Sequence, residues 1–170
     1  MPKTLLPIRR VVTGHDADNV AKVLIDAIAT NDRGEPGRSR VLMWCTDATP
    51  TEIAIGDQAE DMGARKLGTA PPPNGTRFTI NDLPPGSPGV MHRTETLDYC
   101  IVLAGAVDME MDQGATVHLR AGDVVIQRGT NHSWINRGAE PARIAFVLID
   151  AKPLGIGHPI AGASSVPAER

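Results

Sequence analysis

The chain is 170 residues long, carries 17 basic against 20 acidic side chains for a formal net charge of −3, and is 41% apolar. That balance excludes wholesale disorder, and at this length folding withdraws roughly 70% of the unfolded chain's surface from water, enough for a core without disulfide or metal staples. Mild acidity without a cluster of Lys and Arg excludes the electrostatic footprint of a nucleic-acid binder, and no apolar run approaches the length of a membrane-spanning helix. The first residues, Met1-Pro2-Lys3-Thr4-Leu5-Leu6-Pro7, lack the apolar stretch and small-residue cleavage site of a secretory leader, so a cytoplasmic location is expected. Cys45 and Cys100 lie inside apolar runs with no Cys-x-x-Cys or Cys/His cluster, and read as buried reduced thiols.

The 17 Gly and 14 Pro are spread between short apolar runs, which predicts many turns and many short strands. In chain order strands are expected at residues 8–13, 40–46, 76–83, 98–104, 107–112, 116–119, 123–127, 132–136 and 142–150, each rich in Val, Ile, Thr and Leu and bounded by Gly, Pro, Asn or Asp. Residues 20–29 fit two patterns. Val20, Val23, Leu24, Ala27 and Ile28 form a helical stripe behind Asp18 or Asn19 as caps, whereas Val23, Ile25, Ala27 and Ala29 alternate as in a strand, and both readings stay open. Residues 47–75 are polar and end in Pro71-Pro72-Pro73-Asn74-Gly75, as expected of a segment that is functional, packed over the surface or partly helical. The regular turn spacing after residue 97 favours a sandwich or barrel over any βαβ arrangement. The Gly-, Ala-, Ser- and Pro-rich stretch from Ala151 reads as a loosely packed arm.

Two stretches carry the chemistry. Residues 86–105 read Gly86-Ser-Pro-Gly-Val-Met-His92-Arg-Thr94-Glu-Thr-Leu-Asp98-Tyr-Cys-Ile-Val-Leu-Ala-Gly105, and residues 122–136 read Gly122-Asp123-Val-Val-Ile-Gln127-Arg-Gly129-Thr-Asn-His132-Ser-Trp-Ile-Asn136. Together they resemble the two motifs of the cupin superfamily, over roughly residues 76–150. The first motif runs Gly…His-x-His-x(3,4)-Glu…Gly and the second Gly-(Asp)…Pro-x-Gly-x-x-His-x-x-x-Asn. The chain departs from them at Thr94 in place of the second histidine, at Asp98 in place of the glutamate, and at Gln127 in place of the proline, with one residue fewer after Gly122. The resemblance implies an all-β fold, a double-stranded β-helix or jelly-roll barrel with extra N-terminal strands. The strands and loop of 1–75 would pack on a barrel of 76–150, with 151–170 as a C-terminal arm, all in one domain. It also implies a divalent metal held by His92, Asp98 and His132, and a homodimer.

The residues support the same site on their own account. Alternation places His132, Trp134 and Asn136 on one face of a strand, and His92 and Thr94 on the face of Asp98 if no bulge intervenes. Two imidazoles and a carboxylate would form a facial triad suited to Fe, Mn, Zn, Ni or Co, among which sequence does not choose. Gln127 would supply a fourth ligand or orient a bound substrate, and Asp98, if not a ligand, would serve with Gln127 in catalysis. The alternatives are structural: a hydrogen-bonded His132–Asp98 core pair without metal, Thr94 as volume filler, Asp123 as a turn residue and Asn136 as a strand-end hydrogen-bonder. His118 is expected outside the barrel, and His15 and His158 lie in turn and tail. The expectation is a metal-dependent enzyme acting on a small oxygen-containing metabolite, by isomerase-, dehydratase- or cyclase-type chemistry or as an iron dioxygenase. The alternative is a non-catalytic binding module.

Overall fold

A computed structural model describes residues 5–34 and 38–156; His158 and the rest of the arm from 157 lie outside the described residues. Ten strands run in chain order: β1 (Arg9–His15), β2 (Ala21–Ile28), β3 (Arg40–Thr46), β4 (Thr76–Leu83), β5 (Thr96–Ala104), β6 (Ala106–Met111), β7 (Thr116–Arg120), β8 (Val124–Arg128), β9 (His132–Ile135) and β10 (Ala142–Asp150). They form a five-stranded sheet in the order β3-β4-β10-β5-β8, a three-stranded sheet in the order β7-β6-β9, and a separate β1-β2 hairpin. All the pairings within them are antiparallel. No helix among the described residues is long and apolar enough to cross a membrane.

Alternation decides what each strand buries. Ala142, Ile144, Phe146 and Leu148 of β10 point inward with Cys100 and Val102 of β5, and meet Val107, Met109, Leu119 and Trp134 of the smaller sheet in one core. On the other face of the larger sheet Val41, Met43, Ile80 and Ala145 form a second cluster, covered by Ile8 and Ala29 from either end of the N-terminal hairpin. β10 is therefore apolar on both faces because both are packed. The chain crosses between sheets at Gly105, whose φ of +69° suits glycine and where an added Cβ would come within 2.6 Å of Pro141 O.

Residues 20–29 are strand rather than helix. β2 pairs with β1 from Arg9↔Ile28 to His15↔Ala21, with a bulge at Val12/Thr13. Asp16 closes the connecting turn by accepting hydrogen bonds from the N–H groups of Asp18 and Val20, each at 3.0 Å. Residues 47–75 are neither free loop nor α-helix. Two 3₁₀ turns, Gly56–Gln58 and Met62–Ala64, lay this segment against β1 and β3. Arg10 donates to both carboxylate oxygens of Asp61, at 2.8 and 2.6 Å, and Cys45 donates its thiol hydrogen to Met62 O. Both cysteines are free and buried.

Candidate active site

The space between the sheets opens into a cavity of about 110 Å³. Its lining comes from four sides: Arg38, Ser39 and Arg40 at the start of β3; Arg77, Thr79 and Asn81 on β4; His92, Thr94 and Asp98 before and on β5; and His132 and Trp134 on β9. Phe146 and Leu148 of β10 form its floor, and Trp134 meets Phe146 edge-to-face at 5.3 Å between ring centroids.

His92 and His132 are brought together by the backbone. Each donates its N–H to the other's carbonyl at 2.9 Å, an isolated antiparallel bridge that puts both side chains on one face. The imidazole centroids stand 4.4 Å apart. Nδ1 of His92 lies 2.8 Å from Val90 O, and Nδ1 of His132 lies 2.9 Å from Thr130 O and 2.8 Å from Gln127 Nε2. Nε2 is thus the remaining nitrogen of each ring.

Asp98 reaches the same cavity from the other sheet. It is 4% exposed, its Oδ1 has no hydrogen-bond partner, and its side chain bonds Thr96, whose hydroxyl also pairs with that of Thr94 at 2.8 Å. Burial pushes the Asp98 carboxyl up to about 6, with the Thr96 hydrogen bond opposing. Burial also pushes His132 down to about 4, aided by neighbouring His92 and opposed by the bond to Thr130 O. The acid and the base have therefore exchanged their usual order, and each is neutral at a pH where it would otherwise be charged.

Of the sequence-derived set, His92, Asp98 and His132 all line this cavity. Yet among the described residues no three His, Cys, Asp or Glu side chains stand close enough to hold one ion. β5 begins at Thr96, so His92 is bridged to His132 of β9 while Asp98 lies on the large sheet. As placed, His92, Asp98 and His132 line one cavity without closing into a three-ligand cluster. Neither do they form the bare His132–Asp98 core pair, since His132 Nδ1 is turned to Thr130 O.

Gln127 stands behind His132 rather than in front of it. Its Oε1 accepts from Gly129 N at 2.6 Å, which occupies the oxygen expected to meet an ion or substrate; its amide packs the edge of the His132 ring and so positions it. Asn136 is fully buried and clamps the end of β9, donating to Leu83 O and Glu140 O, each at 2.9 Å, and accepting from Gly138 N. Asp123 is a turn residue that accepts from Arg120 N at 2.9 Å. His118 projects outward, its Nδ1 2.6 Å from Asp108.

Sequence reasoning passed over β4. Its Thr76-Arg77-Phe78-Thr79-Ile80-Asn81-Asp82-Leu83 alternation was legible, but the polar set, Arg77, Thr79 and Asn81, faces the cavity, while Phe78 and Ile80 pack under the N-terminal segment. That inverts the ordinary reading of an alternating strand.

Comparison with known proteins agrees with this architecture. A family model described as a Cupin domain matches residues 80–149. Phomopsin biosynthesis cluster protein D of Diaporthe leptostromiformis is 35% identical over 162 residues, covering 90% of this chain and 84% of its own. A cupin-domain-containing oxidoreductase of Aspergillus ruber is 32% identical over 146 residues, covering 83% and 71%. Among solved structures, the Cnp3 cupin domain of Schizosaccharomyces pombe superposes with a TM-score of 0.52 at 11% identity, covering 84% of this chain and 87% of that one, which speaks to fold alone. With its jelly-roll sheets, the two motif histidines on one bridge and relatives of this similarity along nearly its whole length, the chain belongs to the cupin family.

Proposed function

We propose that the protein is an enzyme that binds a small oxygen-containing metabolite between its sheets and moves protons on it with Asp98 and His132. The observation that carries this reading is the placement of a buried carboxyl with an unpartnered Oδ1 and a buried imidazole on one cavity, where burial pushes Asp98 up to about 6 and His132 down to about 4. Around pH 5 the carboxyl holds a proton it can give and the imidazole holds a lone pair that can take one, the condition for general acid and base to act on one substrate. Trp134, Phe146 and Leu148 exclude water and hold the carbon skeleton, Gln127 fixes the His132 ring, and the chemistry is isomerisation, dehydration or cyclisation. The test follows Trp134 emission, in a Trp44→Phe background, across a panel of small oxygenated acids and their esters. For any compound consumed, Asp98→Asn and His132→Ala should each keep binding within a few-fold and lose turnover by about 100-fold or more. Variants that turn over like the wild type would refute the assignment.

A second reading is favoured by the histidine bridge and by the relatives named oxidoreductases. With Nδ1 of each ring held by a carbonyl, His92 and His132 present the pattern of imidazoles oriented for a first-row ion, and two such ligands with substrate completing the shell would supply Lewis-acid or oxygen chemistry. Elemental analysis of untagged protein separates the readings: about one equivalent of metal, lost in His132→Ala, favours the second. We further propose a homodimer, formed through the exposed outer face of β5 and β8, and a cytoplasmic location.

A further inference from the structure

We propose that the substrate is an anion, a carboxylate or an enolate, whose charged end is received by Arg77 with Arg40 and Arg38 at the cavity mouth. The inference rests on the cavity being the ligand site. Arg77 projects inward from the second strand of the large sheet and is only 7% exposed. It makes one hydrogen bond, from Nη1 to Thr69 O at 2.9 Å; its Nε is buried without a partner, and no carboxylate among the described residues pairs with it. The charge acting on it most strongly is another cation, Arg40, and burial together with Arg40 pushes its guanidinium down to about 10. The half-buried arginines with ion pairs, Arg10 with Asp61, Arg65 with Glu60 and Arg143 with Asp82, are each neutralised bidentately, so the fold has ordinary means of pairing a cation and has not used them at Arg77.

A buried charge left unpaired is costly unless something else neutralises it. Two more orphaned polar atoms lie on the same strand face and line the same cavity, Thr79 Oγ1 and Asn81 Oδ1. Across the sheet, Arg77 pairs with Leu148 and Leu148 with Asp98, so Arg77 and Asp98 lie in one row two strands apart, about 10 Å between backbones. A small acid laid over Leu148 and Phe146 then places its charge at Arg77 and its far end by Asp98 and His132. The geometry accounts for two features at once: the unpaired guanidinium and the polar face of β4 turned inward.

The experiment compares benzoate with its neutral isostere benzamide by calorimetry at pH 7, on wild type, Arg77→Met, Arg77→Lys and Arg40→Gln. Benzoate should bind wild type at least tenfold more tightly than benzamide, Arg77→Met should lose that preference, and Arg77→Lys should keep part of it. Arg40→Gln, at the exposed start of β3, should weaken benzoate about threefold. The ligand-free Arg77→Met protein should also melt a few degrees higher than wild type, because an uncompensated charge has been replaced by an apolar side chain of similar length. Equal binding of both probes to wild type would overturn the anion assignment while leaving the cavity as the ligand site. Binding of neither would overturn both. A lower melting temperature in Arg77→Met together with unchanged benzoate binding in Arg77→Lys and Arg40→Gln would make Arg77 a structural residue.

Discussion

At the scale of single residues, the site is built from groups held in their less common protonation states, and this has a thermodynamic signature. His132 titrates near 4 when folded and near 6.5 when unfolded, so the unfolded chain binds more protons in that interval; the stability it contributes is present above 6.5 and lost as pH falls toward 4. Asp98 titrates near 6 when folded and 3.8 when unfolded, so its contribution is present at low pH and lost as pH rises through 6. Each effect is on the order of 3 kcal/mol, and between about pH 4 and 6 they oppose one another. Asp98→Asn removes one branch. Urea melts should therefore show the stability of Asp98→Asn relative to wild type rising by about 2 kcal/mol from pH 4 to 6. A flat or falling difference would mean that Asp98 is not held neutral by burial. The residues behind the site were legible to different degrees. His92 and His132 could be found because their spacing from glycines is a matter of chain order, whereas Arg77 could not, since nothing local to a strand says which face is the inside.

At the scale of elements, the segment 47–75 acts as a strap rather than a linker. Gly63 is closely held within it: an added Cβ would lie 1.6 Å from Arg10 Nη1 and 2.6 Å from Met43 O, and the second of these is backbone that cannot rotate away. Gly63→Ala should cost about 2 kcal/mol or more and lower the melting temperature by roughly 5 °C, while leaving the cavity residues in place. An unchanged melt would mean that the strap is loosely seated. Strands at 40–46, 76–83 and 142–150 were legible to the residue because their apolar runs end abruptly at Gly, Pro or polar pairs. The hairpin strand β2 was not, because a helical stripe and a strand alternation coexist in residues 20–29, and only the partner strand β1 decides between them. His92, Thr94 and Asp98 face one cavity, as alternation implied, although they do not lie on one strand. Alternation holds along a continuous strand, and the chain leaves the strand between His92 and Thr96.

At the scale of the whole molecule, the outer face of β5 and β8 presents an exposed apolar surface among the described residues. Tyr99, Ile101 and Leu103 of β5 face outward beside Val124 and Ile126 of β8, with Tyr99 opposite Ile126 and Ile101 opposite Val124, and all five are exposed. Among the described residues β8 is also the edge of the five-stranded sheet, so the patch adjoins a strand edge open to further pairing. A second copy meets both needs through a two-fold interface. Light scattering should give a dimer for wild type and a monomer for Ile101→Asp and Ile126→Asp, with the fold retained. A monomeric wild type would remove the proposal. The jelly-roll architecture itself was legible from turn spacing and motif glycines such as Gly105, because those features are local. The inward polar face and the outward apolar one arise from how sheets stack, which no local pattern records.

The proposed chemistry depends on a neutral Asp98 carboxyl beside a neutral His132 imidazole. An NMR titration of the metal-free protein, reading the Asp98 carboxyl carbon and the His132 ring nitrogens from pH 3 to 8, measures both without a substrate. We expect Asp98 to titrate near 6 and His132 near 4. A carboxyl titrating near 3.8 with an imidazole near 6.5 would show two ordinary solvated groups, and would contradict the assignment of an acid–base pair to this cavity.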